Sequence, residues 1–276
     1  MTLTSGQIDD LINVVRETGR REIMPHFRNL APDSVQIKAD IKDLVTDADR
    51  AAERAIATAT AKILPQAVFV GEEAVADRPE LLEAMGAADT SVIVDPIDGT
   101  ANFVAGLAVF GTILAVVENG ETTFGLLYDP VLDDWIYAIR GQGAYFMRDG
   151  KVPRKVAPRP ERPLDMAKGF LPLDNYAAQD RTRVMRAFEP VCQIEDVRCS
   201  CHEYRMLASG QADFLRSVKL NPWDHAAGIL ILQEAGGWAE VNGGQDYTPN
   251  LHKGSVIAAS CREVGNRVRE LSTCLL

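Results

Sequence analysis

Apolar residues recur at helical intervals near the start of the chain. Ile8, Leu11, Ile12, Val15 and Ile23 share one face of a segment spanning 5–28, with Ser5 as the expected N-cap. An Ala-rich stretch over 47–64, carrying Glu53, Arg54 and Lys62, predicts a second helix that Pro65 stops. AVFV at 67–70 reads as a short strand ending at Gly71, and SVIVD at 91–95 repeats the pattern and runs into Pro96. Between 109 and 146 the pattern predicts an antiparallel meander, with turns at Asn119-Gly120 and Gly141–Gly143. Residues 150–163 carry four prolines and no apolar period, which marks the expected boundary between two units. Beyond it lie a mixed stretch, a helix near 200–209, and a helix from about Asp224, its expected N-cap, to Gly236-Gly237. The expected plan is α/β: an α+β half over 1–150 and an α/β half over 151–276 that share an interface.

With 276 residues, 46% of them hydrophobic, the chain can bury a sizeable core. Its 29 basic and 39 acidic residues give a formal charge of −10, which argues against a nucleic-acid partner. No apolar run is long enough for a membrane span, and MTLTSGQIDD lacks the features of a secretory signal. The five cysteines form no Cys-x-x-Cys pair, so a soluble protein of the reducing cytoplasm is expected.

The chemistry concentrates at the ends of elements. Acidic groups cluster in Asp43-Leu-Val-Thr46-Asp47-Ala-Asp49, Gly71-Glu72-Glu73, Asp95-Pro-Ile-Asp98-Gly-Thr100 and Trp223-Asp224. In the third cluster Asp95 and Asp98 flank a bend and can face one point, with the Ile97 carbonyl turned in beside them. Such hard oxygen donors suit Mg²⁺ or Mn²⁺. Gly99 allows close backbone approach, and Thr100 near a helix start offers amides to an anion. A cation site beside such amides implies a phosphate-bearing substrate. Each cluster alone also fits an ordinary turn, cap or solvated loop. Their conjunction at the mouths of elements favours a site.

Together these segments resemble the inositol monophosphatase family, within the metal-dependent, lithium-sensitive phosphomonoesterases. The resemblance rests on Lys38-x(4)-Asp43-Leu-Val-Thr-x-x-Asp49, Gly71-Glu72-Glu73, Val94-Asp-Pro-Ile-Asp-Gly-Thr-Ala-Asn-Phe103 and Trp223-Asp-His-Ala-Ala-Gly228, and it spans nearly the whole chain. It implies a layered αβαβα fold, a homodimer, and hydrolysis of a small phosphate monoester by direct attack of water. By the same resemblance, Glu72, Asp95 and the Ile97 carbonyl hold one Mg²⁺, and Asp95, Asp98 and Asp224 a second. A third ion is held weakly through water near Glu72. The implied catalytic residues are Thr100, Asp49 and Glu72, with Thr100 and Asp49 orienting the water. Gly99 and Thr100 amides bind the phosphate, and Lys38, Ser217 and Arg198 fall in the substrate-binding set.

Substrate choice is where the pattern departs. Inositol-specific members carry a Glu seven residues before the last aspartate, where this chain has Ser217. Arg198-Cys199-Ser200-Cys201 replaces a run of small residues, and Arg198 offers a contact to an anionic substrate. His202 and His225 are expected as packing or rim residues, and Cys199 and Cys201 as buried thiols. Inositol monophosphate is the default substrate. Histidinol phosphate, a 3′(2′),5′-bisphosphate nucleotide and sugar phosphates are the alternatives on the same core. A non-catalytic binding protein is the alternative of another class. Glycoside hydrolysis by two carboxylates fits poorly with the Gly-Thr that follows Asp98.

Overall fold

A strand whose odd and even residues are both apolar needs a covering layer on each face. Val92, Ile93 and Val94 form such a run, and its alternation reveals the architecture. The computed structural model describes residues 3–31, 34–37 and 44–273. In chain order its elements begin with α1 (Ser5–Thr18), β1 (Val35–Ile37), β2 (Leu44–Thr46), α2 (Asp47–Ile63) and β3 (Val68–Gly71). Then come α3 (Glu72–Asp77), α4 (Leu81–Ala87), β4 (Thr90–Asp98) and α5 (Thr100–Val104). The meander follows as β5 (Gly111–Glu118), β6 (Glu121–Asp129), β7 (Asp134–Ile139), β8 (Ala144–Arg148) and β9 (Arg154–Lys155). The rest are β10 (Lys168–Phe170), α6 (Arg181–Ala187), β11 (Gln193–Glu195), α7 (Ser200–Ala208), β12 (Phe214–Ser217), α8 (Pro222–Ala235), β13 (Trp238–Val241), β14 (Val256–Ala259) and α9 (Arg262–Ser272).

Strands β3 to β9 form a seven-stranded sheet in chain order, antiparallel except for the parallel pair β3–β4. A five-stranded mixed sheet has the order β11-β10-β12-β14-β13. Val92, Val94, Leu114 and Leu126 face α1 and α2, packing with Leu11, Val15 and Ile56. Ile93, Ile113 and Leu127 face the other way, against Leu207 of α7, Leu230 and Leu232 of α8, and Leu215 of the smaller sheet. The far side of that sheet, with Phe214 and Ile257, packs on Val184 of α6 and on Val264 and Val268 of α9. The order of layers is thus α1/α2, large sheet, α7/α8, small sheet, α6/α9. As the middle layer, α8 is buried on every face: Ile229, Leu230, Ile231 and Leu232 are each at most 2% exposed. No helix among the described residues is long and apolar enough to cross a membrane.

The expected elements are present, with corrections at their ends. Thr4, not Ser5, caps α1 and forms a reciprocal box with Gln7. The helix expected over 5–28 ends at Thr18, and the chain continues as a π-turn over Gly19–Ile23 and a 3₁₀ turn through Pro25. Asn221 precedes α8 with Pro222 as its first residue, so Asp224 lies inside the first turn and is not the cap. Strand β4 does not stop before Pro96 but runs through it to Asp98. At Asn119-Gly120 both residues have positive φ (51° and 79°), as a tight two-residue hairpin demands.

One contact sets the position of α3. The Glu53 carboxylate, on α2, accepts the backbone N–H groups of Glu73 and Ala74, both at 2.8 Å. It thereby satisfies two donors that a helix start leaves open. Gly71 makes room: a Cβ there would lie 2.2 Å from Glu53 Cδ. Gly71→Ala should therefore displace the carboxylate and lower the unfolding free energy by about 1–3 kcal/mol in urea titrations. In a Glu53→Ala background the same substitution should cost markedly less, because the clash and the hydrogen bonds are already gone.

Candidate functional site

In a regular strand, residues three apart point to opposite faces. Asp95 and Asp98 do not, because β4 bulges between them. Asp95 pairs with Ile113 and Asp98 with Gly111, so a step of three residues on β4 meets a step of two on β5. Pro96, which has no N–H to donate, lies in this bulge, and its carbonyl accepts from Thr112 Oγ1 at 2.9 Å. Asp224 joins from the first turn of α8, where Asn221 Nδ2 donates to its Oδ2 at 3.1 Å. One oxygen from each of Asp95, Asp98 and Asp224 lies within 4.8 Å of the others.

These carboxyls resist charging. Burial, then the charges of Glu72, Asp98 and Asp224, pushes Asp95 well above the usual carboxylate range. Burial followed by Asp98 and Glu72 does the same to Asp224. Burial also pushes Asp98 up to about 6, although the Cys201 N–H, the Cys199 thiol and the Ser200 N–H work in the opposite direction. Asp95 Oδ1 is buried without a hydrogen-bond partner. Converging carboxylate oxygens, one of them unpartnered, fit a hard cation, whose charge would let all three ionise. Glu72 is not one of the trio, but at the start of α3 it borders Asp95 closely enough to hydrogen-bond with it.

Beside the trio is a hydroxyl–carboxylate pair. Thr46 caps α2 in a box with Asp49: the Thr46 N–H donates to Asp49 Oδ2 at 2.8 Å, and the Thr46 hydroxyl donates to the same oxygen. That leaves Asp49 Oδ1 turned to Thr100, whose Oγ1 is 3.3 Å away. Thr100 Oγ1 also lies 3.0 Å from the Ile97 carbonyl oxygen. Gly99 opens α5 at φ 89°, a left-handed conformation that suits glycine. The Gly99 and Thr100 amides thus start a short helix next to the trio.

The remaining candidates are more scattered. Ser217 Oγ is buried and accepts the Lys219 N–H at 3.1 Å and the Asn175 amide at 3.4 Å. Arg198 is exposed at φ 51° and donates through Nη2 to Asn102 Oδ1 at 3.1 Å, so its guanidinium leans on α5 rather than on the trio. Lys38 lies outside the described residues. His225 is a packing residue: its ring nitrogens meet the Tyr204 hydroxyl at 2.9 Å and the Lys219 carbonyl at 3.0 Å, and burial holds it down at about 4. Cys199 and Cys201 are buried, and they brace Asp98 through the Cys199 thiol at 3.1 Å and the Cys201 N–H. Sequence reasoning missed the site-building roles of Glu53 and Cys199. Glu53 had a signal: it follows Asp49 by four residues and so shares its face of α2.

Comparison with known proteins agrees with this geometry. The model of the inositol monophosphatase family matches residues 9–274. The fructose-1,6-bisphosphatase/inositol-1-monophosphatase of Thermotoga maritima is 31% identical over 231 residues, covering 84% of this chain and 83% of its own length. Nus factor SuhB of Pasteurella multocida is 32% identical over 244 residues, 84% of each chain. Its name means that the charge-based expectation against nucleic-acid partners gains no support here. Among solved structures, an inositol monophosphatase of Thermotoga maritima superposes with a TM-score of 0.81 at 28% identity, over 98% of this chain and all of that one. Matched by the family model over residues 9–274 and in overall fold by a solved inositol monophosphatase, the chain belongs to the inositol monophosphatase family.

Proposed function

We propose that this protein hydrolyses a small phosphate monoester with Mg²⁺, inositol monophosphate being the default substrate. One observation carries the proposal: a trio of carboxylates, Asp95 and Asp98 buried and Asp224 half-buried, with Asp95 Oδ1 unpartnered, stands beside the Thr100–Asp49 pair. Glu72, Asp95 and the Ile97 carbonyl would hold one ion, and Asp95, Asp98 and Asp224 a second, with Mn²⁺ as a substitute and a third ion held weakly near Glu72. Bound cations supply Lewis acidity, which makes water nucleophilic near neutral pH and offsets charge on phosphoryl oxygens. Thr100 Oγ1 accepts a hydrogen bond from the attacking water and passes its own to Asp49 Oδ1, which fixes the water's orientation. The Gly99 and Thr100 amides meet phosphoryl oxygens, already in place before charge develops there. Ser217, a neutral group where inositol-specific relatives have Glu, keeps histidinol, nucleotide and sugar phosphates open as substrates. The protein acts as a homodimer in the reducing cytoplasm, where its buried thiols stay reduced.

A second reading, a regulatory role within the same fold, draws on the relative named Nus factor SuhB. The test is phosphate release from inositol phosphate, fructose 1,6-bisphosphate, histidinol phosphate and 3′-phosphoadenosine 5′-phosphate, with and without Mg²⁺. Release should require the ion, and Asp224→Asn should reduce it by on the order of 100-fold or more. No release from any ester by a folded, cation-binding protein would favour the regulatory reading. Thr100→Ala should lower kcat by about 10²–10⁴-fold while Mg²⁺ binding, followed by calorimetry, is retained.

Stability should follow pH with a definite sign. Asp95, Asp98 and Asp224 are raised above their unfolded values, so their stabilising contribution is full below about pH 4 and is lost as pH rises, for Asp98 through about 6. The metal-free protein should therefore lose stability from Asp98 between about pH 4 and 6, and from Asp95 and Asp224 as pH rises from about 4 through their raised values. Saturating Mg²⁺ should restore it, raising Tm by on the order of 5–10 °C near pH 7.5 and by less at pH 5, as read by calorimetry.

A further inference from the structure

The proline-rich segment over 150–163 takes no part in the site above. It carries Arg159 and Arg162, and both reach the same cavity as Lys168, the first residue of β10. This cavity has a volume of about 410 Å³, within the range of small-molecule sites. Its lining contains three cationic side chains and no acidic one, in a chain whose formal charge is −10. Gln193 and Gln211 add neutral amides.

The cations are held from behind. Asp213, with a fully buried side chain, receives Arg159 Nη1 at 3.4 Å and the Lys168 N–H at 2.8 Å. Lys168 Nζ pairs with Glu195 at 2.9 Å. The Arg162 carbonyl accepts from Arg267 Nη1 at 3.0 Å, which fixes its backbone. Its own guanidinium makes no ion pair among the described residues, and so one partly buried positive charge is left without a counterion. An anion in the cavity would supply that counterion.

We infer that this cavity binds a phosphate group, as the free ion or on a small ester. Two guanidinium forks and one ammonium suit a tetrahedral dianion, and the guanidinium's planar donors can bind its oxygens in pairs. The cavity opens at the starts of parallel strands β10 and β11, whereas Ser217 is the last residue of β12 and Arg198 lies past the end of β11. No cavity residue belongs to the candidate active site. Helix α7 joins the two places. The N–H of Cys201 meets Asp98, and Met206 lines the cavity, about 8 Å further along the helix axis. Binding there does not depend on the phosphatase reading.

Cys192 lines the cavity, is exposed and has a free thiol, so it reports on occupancy. Alkylation of the full chain by iodoacetamide, located by mass spectrometry, should slow at Cys192 as inorganic phosphate is added, and should saturate. At ten times Kd the slowing should approach about tenfold, by mass action, while Cys261 reacts unchanged. The protection should persist in Asp224→Asn with chelator present, which separates it from the active site. It should vanish in Arg162→Gln and in Arg162→Glu, which lose no ion pair and should melt with the wild type. Protection by adenosine monophosphate at lower concentration than phosphate would assign the site to an ester, and the reverse order to the free ion. Equal protection by sodium chloride at matched ionic strength, or full protection in folded Arg162→Gln, would overturn the inference.

Discussion

Carboxylates gathered in a buried place repel one another, and the rest of this molecule can be understood as the means of keeping them together. Two local devices bring the three that converge together. Asp95 and Asp98 share a side only because the strand that carries them gains a residue between them. Asp224 arrives on a helix that two sheets clamp from opposite faces. Left to itself the cluster would relax outward or protonate. The layered core over-determines it, so the electrostatic strain is stored where a cation can release it.

The surrounding helix starts serve the same end. Thr46 ties down one oxygen of Asp49, and the other faces Thr100. Glu53, one turn further along α2, anchors the start of the helix that bears Glu72. The start of α7 holds Asp98 through an amide and a thiol. Caps that in most proteins only end a helix here orient the site, which is why small residues and short polar side chains cluster around it.

Much of this was legible in the sequence, for identifiable reasons. The meander announced itself through alternation and the Asn119-Gly120 turn, and α8 through its unbroken apolar run. Asp95-Pro-Ile-Asp98-Gly-Thr100 marked the site because Pro and Gly there restrict what the backbone can do. The bulge was not legible: a residue's facing depends on its partner strand, and β5 had no signal of its register. The brace from Cys199 was equally hidden, since it joins segments 101 residues apart. Arg198 donates to Asn102, a partner that periodicity cannot supply.

The burial of α8 on every face also bears on how the chain is made. Asp95 and Asp98 leave the ribosome well over a hundred residues before Asp224, so a nascent chain has two of the three carboxylates and a large sheet that α8 has yet to cover. Until α8 emerges, neither the middle layer nor the cation cradle can exist, because one helix completes both. Competence to hold a metal is therefore a late property of synthesis. A chain released early would lack it even with the N-terminal sheet intact.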